Sequence, residues 1–173
     1  YIFGASGCGT TTLGAALSEK LSLTHFDVDD FYWRPTNPPF VEKRRPAQRL
    51  ADLNAAMAKT SGWILSGSLC VWGDGLIPRF SAAVFLSMDP KLRLRRLQGR
   101  DRQRYGVRIL PGGDMHKIHT DFMTWASRYD SAGMEQRSKV LHQHWLHLLQ
   151  CPLLQLDAEL PTDDLVGRII TAL

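Results

Sequence analysis

A chain of 173 residues with 44% hydrophobic and 22% charged side chains suits one packed domain and is too apolar for wholesale disorder. No apolar run approaches the roughly 18 residues that cross a bilayer, and three scattered cysteines without CxxC spacing, Cys8, Cys70 and Cys151, argue against a disulfide framework or a zinc site. The formal charge of +4 is mild, yet seven arginines fall between Arg93 and Arg108, a local cluster that suits phosphorylated ligands better than a general basic coat would.

The first segment, YIF at 1–3, reads as a strand that enters the glycine-rich stretch GASGCGTTT. Tyr1 is not a methionine, so residues of that first strand are expected to precede it. No basic segment followed by an apolar run opens the sequence, and a cytoplasmic protein without a membrane segment is expected. Thr10 to Leu21 has helical spacing, with Leu13, Ala16, Leu17 and Leu21 on one face. HFDV at 25–28 is a short strand ending in carboxylates, and 33–45 is a proline-bearing loop. Pro46 begins a helix with Leu50, Leu53 and Met57 as its buried stripe. WILSG at 63–67 and AAVFLS at 82–87 are strands, the second apolar throughout, as expected when both sheet faces are covered. Asp89-Pro90 starts a helix carrying Leu92, Leu94 and Leu97. Two further amphipathic helices follow, one marked by Ile118, Phe122, Trp125 and Tyr129, the other by Val140, Leu141, Trp145, Leu148 and Leu149. PLLQL at 152–156 is the last strand and Pro161 to Leu173 the closing helix. Strands alternating with helices predict an α/β, three-layer fold: one domain over 1–173 with a parallel five-stranded sheet and helices on both faces.

Gly4, Gly9 and Thr11 match the phosphate-loop pattern G-x-x-x-x-G-K-[ST] between a strand and a helix, but Thr10 stands where the lysine belongs. Glycines let backbone N–H groups turn inward on phosphate oxygens, and the helix N-terminus adds partial positive charge. Neither needs the lysine. Gly4, Ser6, Gly7, Cys8, Gly9, Thr10, Thr11 and Thr12 are therefore the expected nucleotide-binding set, with the Thr11 hydroxyl on Mg2+ and Cys8 a small filler rather than a nucleophile. In FDVDDFYW, Asp27, Asp29 and Asp30 sit at the carboxyl end of a strand, the ligand side of such sheets. Asp29 and Asp30 are candidates for taking a proton from an acceptor hydroxyl, with Asp29 also a metal contact, while Phe31, Tyr32 and Trp33 wall an acceptor pocket or pack in the core.

GASGCGTTT, FDVDDFYW, WILSGS, VFLSMDPKLRLRRLQGRDRQRYG and LDAELP, in that order and spacing, resemble the adenylate-kinase-like group of P-loop kinases, which includes shikimate-kinase-like and topology-modulation proteins. The resemblance covers nearly the whole chain. It implies the P-loop NTPase fold with an Arg-rich lid at about 100–116, ATP and Mg2+, and transfer of a phosphoryl group to a small acceptor, a nucleotide or a nucleoside or metabolite hydroxyl. Such kinases commonly carry an aspartate after the third strand, where this chain has Ser66 and Gly67; Asp74 is a possible substitute. Arg93, Arg96, Arg100, Arg104 and Arg108 recur at three- or four-residue spacing as one helical stripe. The resemblance makes them lid residues, Arg100 and Arg104 acting on the transferring group, Arg96 and Arg108 on the nucleotide, together supplying the charge that Thr10 lacks. Arg128 and Arg137 are more distant candidates, and Ala158 to Pro161 a candidate border of the base. The altered Thr10 and Ser66 positions leave a second reading, a nucleotide-binding sensor or regulator with little catalysis. Nucleic-acid binding through the arginine cluster ranks last, since no DNA- or RNA-binding motif accompanies it. The histidine clusters have no zinc-type pattern.

Overall fold

A computed structural model describes residues 1–173. Five strands, β1 (Ile2–Gly4), β2 (Thr24–Asp27), β3 (Trp63–Ser66), β4 (Ala83–Ser87) and β5 (Leu153–Asp157), form one sheet in the order β2-β3-β1-β4-β5. Every pairing is parallel. Seven helices connect them: α1 (Thr10–Leu21), α2 (Val28–Tyr32), α3 (Pro46–Met57), α4 (Pro90–Tyr105), α5 (His116–Ser127), α6 (Lys139–Leu146) and α7 (Thr162–Ala172). The expected α/β three-layer architecture, a parallel five-stranded sheet with helices on both faces, is what the chain adopts. No helix is long and apolar enough to cross a membrane.

The two cores follow from the two-residue period of the strands. On β1, Ile2 points to one face, where it joins Leu13 and Leu17 of α1 and Leu165 and Ile169 of α7. Tyr1 and Phe3 point to the other, against Leu53 and Met57 of α3 and Leu141 and Trp145 of α6. β4 repeats the alternation, Val84 and Leu86 on the first face, Ala83 and Phe85 on the second. Because β1 lies in the middle of the sheet, the chain passes to one side of it for β2 and β3 and then crosses to the other for β4 and β5. That reversal opens a crevice beyond the carboxyl end of β1.

Several boundaries differ from the periodic reading. β2 stops at Asp27, whose side chain accepts from the Asp29 N–H and starts α2. Asp89 caps α4 as expected, accepting from Lys91 and Leu92 N–H, but the buried stripe of that helix is Arg93, Leu97 and Asp101. The helix ends at Tyr105, where Gly106 turns to a φ of +53°. Arg108 therefore leaves the predicted stripe and lies in a 3-10 turn over Gly106–Ile109. Tyr129 likewise falls beyond α5, in a 3-10 turn over Arg128–Asp130, and α6 ends before Leu148 and Leu149.

A buried polar relay joins β3's exit to the helical layer. His142 of α6 is 0% exposed, with Nε2 3.2 Å from Ser68 Oγ and Nδ1 2.9 Å from the Tyr129 hydroxyl. Phe3 and Phe85 meet its ring edge-on. Burial, reinforced by the charge of Arg137, pushes the imidazole down to about 3. The folded chain thus refuses a proton that the unfolded chain accepts below its ordinary value near 6.5. Stability is full above about pH 6.5 and falls as pH drops toward the folded value, at up to about 1.4 kcal/mol per pH unit. Urea unfolding of the wild type and His142→Gln between pH 4 and 7 checks this: the glutamine variant is expected to lose up to one proton's worth of slope. Equal slopes in both proteins would refute it.

Candidate functional site

The loop after β1 is shaped by its glycines. Gly7 and Gly9 take φ of +91° and +84°, conformations that side chains rarely adopt. Gly9 is the N-cap of α1, and the Cys8 N–H donates to Ala5 O at 3.1 Å to close the turn. The N–H groups of Gly7, Gly9, Thr10, Thr11 and Thr12 have no backbone acceptor; the last three belong to the first helical turn, where none is available within the helix. Five donors gathered at the N-terminus of a 12-residue helix make an anion cradle that fits a polyphosphate.

The carboxylates divide their work by where β2 ends. Asp27, the last residue of the strand, accepts the Thr11 hydroxyl at 2.6 Å through Oδ2 and the Asp29 N–H at 2.9 Å through Oδ1. Thr11 and Asp27 thus bring together a hydroxyl and a carboxylate, donors of the kind that suit Mg2+, whereas the expectation paired Thr11 with Asp29. Asp29 sits two residues on, exposed at the surface of the crevice, with no hydrogen bond to its carboxylate. Burial raises its carboxyl above the ordinary range, with the positive charges of Arg137 and Arg100 opposing and Asp27 reinforcing. At Asp30, partial burial and Asp27 raise the carboxyl as well, with His25 opposing. Below this level, His25 Nε2 lies 2.8 Å from Ser66 Oγ. Gly14 of α1 leaves room for the ring, since a Cβ there would fall 2.5 Å from Nε2.

The arginines do not act as one stripe. Arg93 is 1% exposed and structural, bound to Asp130 at 2.8 Å and to Ala126 O at 3.2 Å. Arg96 donates to Ala158 O at 3.0 Å, fixing the loop after β5. Arg100 is held by Oδ1 of the buried Asp101, whose other oxygen is 2.9 Å from His119 Nδ1. Arg104 is exposed on the last turn of α4. Arg108 spans Asp114 and Asn37, joining the segment after α4 to the proline-bearing segment before α3. Arg137, which follows α5 by ten residues and stood at the margin of the sequence reading, reaches the phosphate loop and donates to Ser6 Oγ at 2.8 Å.

Arg49 of α3 is 7% exposed, with its guanidinium 3.8 Å from the Tyr32 ring centroid and 5.8 Å from that of Trp72. Its Nε donates to Arg44 O. Tyr32 and Trp33 stand beside it, edge to face. Asp74 is engaged elsewhere, accepting from Trp145 Nε1 at 2.8 Å. Cys8 is buried and its thiol pushed up to about 11 by burial, consistent with a filler. No group of three or more histidine, cysteine or acidic side chains is arranged to hold a metal on its own.

No protein-family model matches the chain. The "Uncharacterized protein YqaC" of Bacillus subtilis (strain 168) is 44% identical to it over 170 residues, 98% of this chain and 94% of that one. Shikimate kinase 2 of Sodalis glossinidius (strain morsitans) is 33% identical over 81 residues, 39% of this chain and 47% of the kinase. Among solved structures, shikimate kinase from Bacteroides thetaiotaomicron superposes with a TM-score of 0.59 at 21% identity, over 99% of this chain and 96% of that one. Shikimate kinase from Acinetobacter baumannii gives 0.56 at 16% over 99% and 90%, and a gluconokinase from Sinorhizobium meliloti 1021 gives 0.52 at 18% over 98% and 87%. The solved structures share the overall fold described above. The chain belongs to the family of the Bacillus subtilis YqaC protein, built on the P-loop kinase fold.

Proposed function

We propose that this protein is a small-molecule kinase that transfers the γ-phosphoryl group of ATP to a hydroxyl of a small, anionic acceptor. The observation that carries the reading is the Thr11–Asp27 contact at 2.6 Å beside an unpartnered Asp29, all at the mouth of a loop with free N–H donors. The loop amides hold the phosphates, and Thr11 and Asp27 hold Mg2+. The metal, when bound, offsets phosphate charge. Asp29 takes the proton of the acceptor hydroxyl as its oxygen bonds to the γ-phosphorus; the bond to the β–γ bridging oxygen breaks, and its electron pair leaves with ADP. A carboxyl raised by burial is a better base near neutral pH than an ordinary aspartate. Tyr32, Trp33 and Trp72 wall the acceptor side, and Arg49 among them supports a carboxylate or phosphate on the acceptor. Shikimate and gluconate kinases among the structural neighbours act on hydroxylated acids, in keeping with this class.

The absent lysine at Thr10 and the absent acid at Ser66 favour a second reading, a nucleotide-binding regulator. Phosphate transfer across a panel of hydroxy acids, nucleosides and nucleotides separates the two. Tight ATP binding without turnover on any acceptor selects the regulator.

For the kinase, Asp29→Asn is expected to lower kcat by about 10²- to 10⁴-fold with little change in the KM for ATP; wild-type turnover in that variant would remove Asp29 as the base. Asp27→Asn and Thr11→Ala are expected to raise the Mg2+ concentration for half-maximal rate by about tenfold or more, read by magnesium titration at saturating ATP. An unchanged magnesium requirement would remove them as the metal pair.

A further inference from the structure

The phosphate loop lacks the cation that its motif normally provides, and one side chain meets the loop in its place. Arg137 Nη2 donates to Ser6 Oγ at 2.8 Å across 131 residues of sequence. Ser6 lies within the loop, directly before Gly7, the first residue of the cradle. The remaining N–H groups of this guanidinium are engaged by no carboxylate, whereas Arg93, Arg100 and Arg108 are each tied to one.

The guanidinium is also aimed. Its Cζ lies 4.8 Å from the Trp125 ring centroid. Trp125 stacks on Phe122 at 5.9 Å with 29° between the planes, and Phe122 carries Arg100 at 5.5 Å. Two arginines from different parts of the chain thus bracket one aromatic pair on α5. Arginine suits this post because its flat cation stacks on a ring while its edge donors stay free for phosphate oxygens. A lysine on the loop would reach the same oxygens from the helix side, as a point charge.

We propose that Arg137 is a catalytic residue that replaces the missing P-loop lysine, contacting the terminal phosphate of ATP from above the loop, and that Trp125 is its positioning residue. The inference rests on the reading of the loop as a nucleoside-triphosphate site and adds the source of its charge.

The test is charge transplantation, read by calorimetric binding of ADP and of a non-hydrolysable ATP analogue with Mg2+. Arg137→Met is expected to weaken the ATP analogue about 10- to 100-fold, the worth of a charged hydrogen bond or two, while ADP changes less than about threefold on the same principle. Adding Thr10→Lys to Arg137→Met is expected to restore the analogue's affinity to within a few-fold of wild type. Trp125→Leu is expected to give the same loss, selective for the triphosphate, and it serves where the methionine variant melts. Equal losses for ADP and the analogue, wild-type affinity in Arg137→Met, or no rescue by Thr10→Lys each overturns the proposal. Wild-type protein that binds neither nucleotide overturns the site reading itself, an outcome distinct from binding that ignores Arg137.

Discussion

The site depends on how closely the phosphate loop lies against α4. At Gly7 a Cβ would fall 2.9 Å from both the Arg93 carbonyl oxygen and Leu97 Cγ, and φ there is +91°. Only glycine satisfies both demands. Pressed onto α4, the loop buries Cys8, turns its amides inward and presents Ser6 outward to Arg137. The surface it presses on is itself fixed, since Arg93 is tied to Asp130 and Ala126 and stacks on Tyr129. Loop, α4 and the end of α5 are therefore one block. The direction of Arg137 is inherited from that block rather than from its own short segment.

Charge is arranged around this block in layers. Asp27, Asp29 and Asp30 gather at the end of β2, and the positive charges of Arg137 and Arg100 oppose the rise of the Asp29 carboxyl. Neither cation neutralises Asp29 by contact. Each is held by an aromatic ring, and Arg100 also by Asp101. A ring holds a cation without consuming its charge, which leaves the charge of Arg137, though not that of Arg100, free for an anionic ligand. Arg108, like Arg93 and Arg100, is paired with a carboxylate, here Asp114 at the surface, whose carboxyl it lowers.

Most of the fold was legible from periodicity. Strands with alternating or continuous apolar residues and helices opened by Asp89-Pro90 or Pro46 declare themselves in one dimension. The loop was legible because its glycines and threonines do their work with backbone atoms and one hydroxyl. What stayed hidden were choices made in three dimensions. Asp27 and Asp29 are alike in sequence, and only the end of β2 at Asp27 decides which one meets Thr11. Arg49, Arg93 and Asp101 are charged, so a reading that seeks apolar stripes passes over them. A signal was present, however: Arg49 with Leu53 and Met57, and Arg93 with Leu97 and Asp101, recur every four residues on buried faces. A charge in register with a buried stripe needs a partner or a ligand. Arg137 carries no such mark, since its partners are 12 and 131 residues away.

The burial of Cys8 bears on the durability of the loop. Oxidants and alkylating agents react with a thiolate, not a thiol. With its ionisation pushed up to about 11, on the order of one Cys8 in ten thousand is ionised at neutral pH. A sulfur atom at the phosphate cradle would ordinarily make an enzyme sensitive to peroxide. Here the contact with α4 that shapes the cradle also keeps that sulfur protonated, so chemical resistance comes from the same packing as the binding geometry.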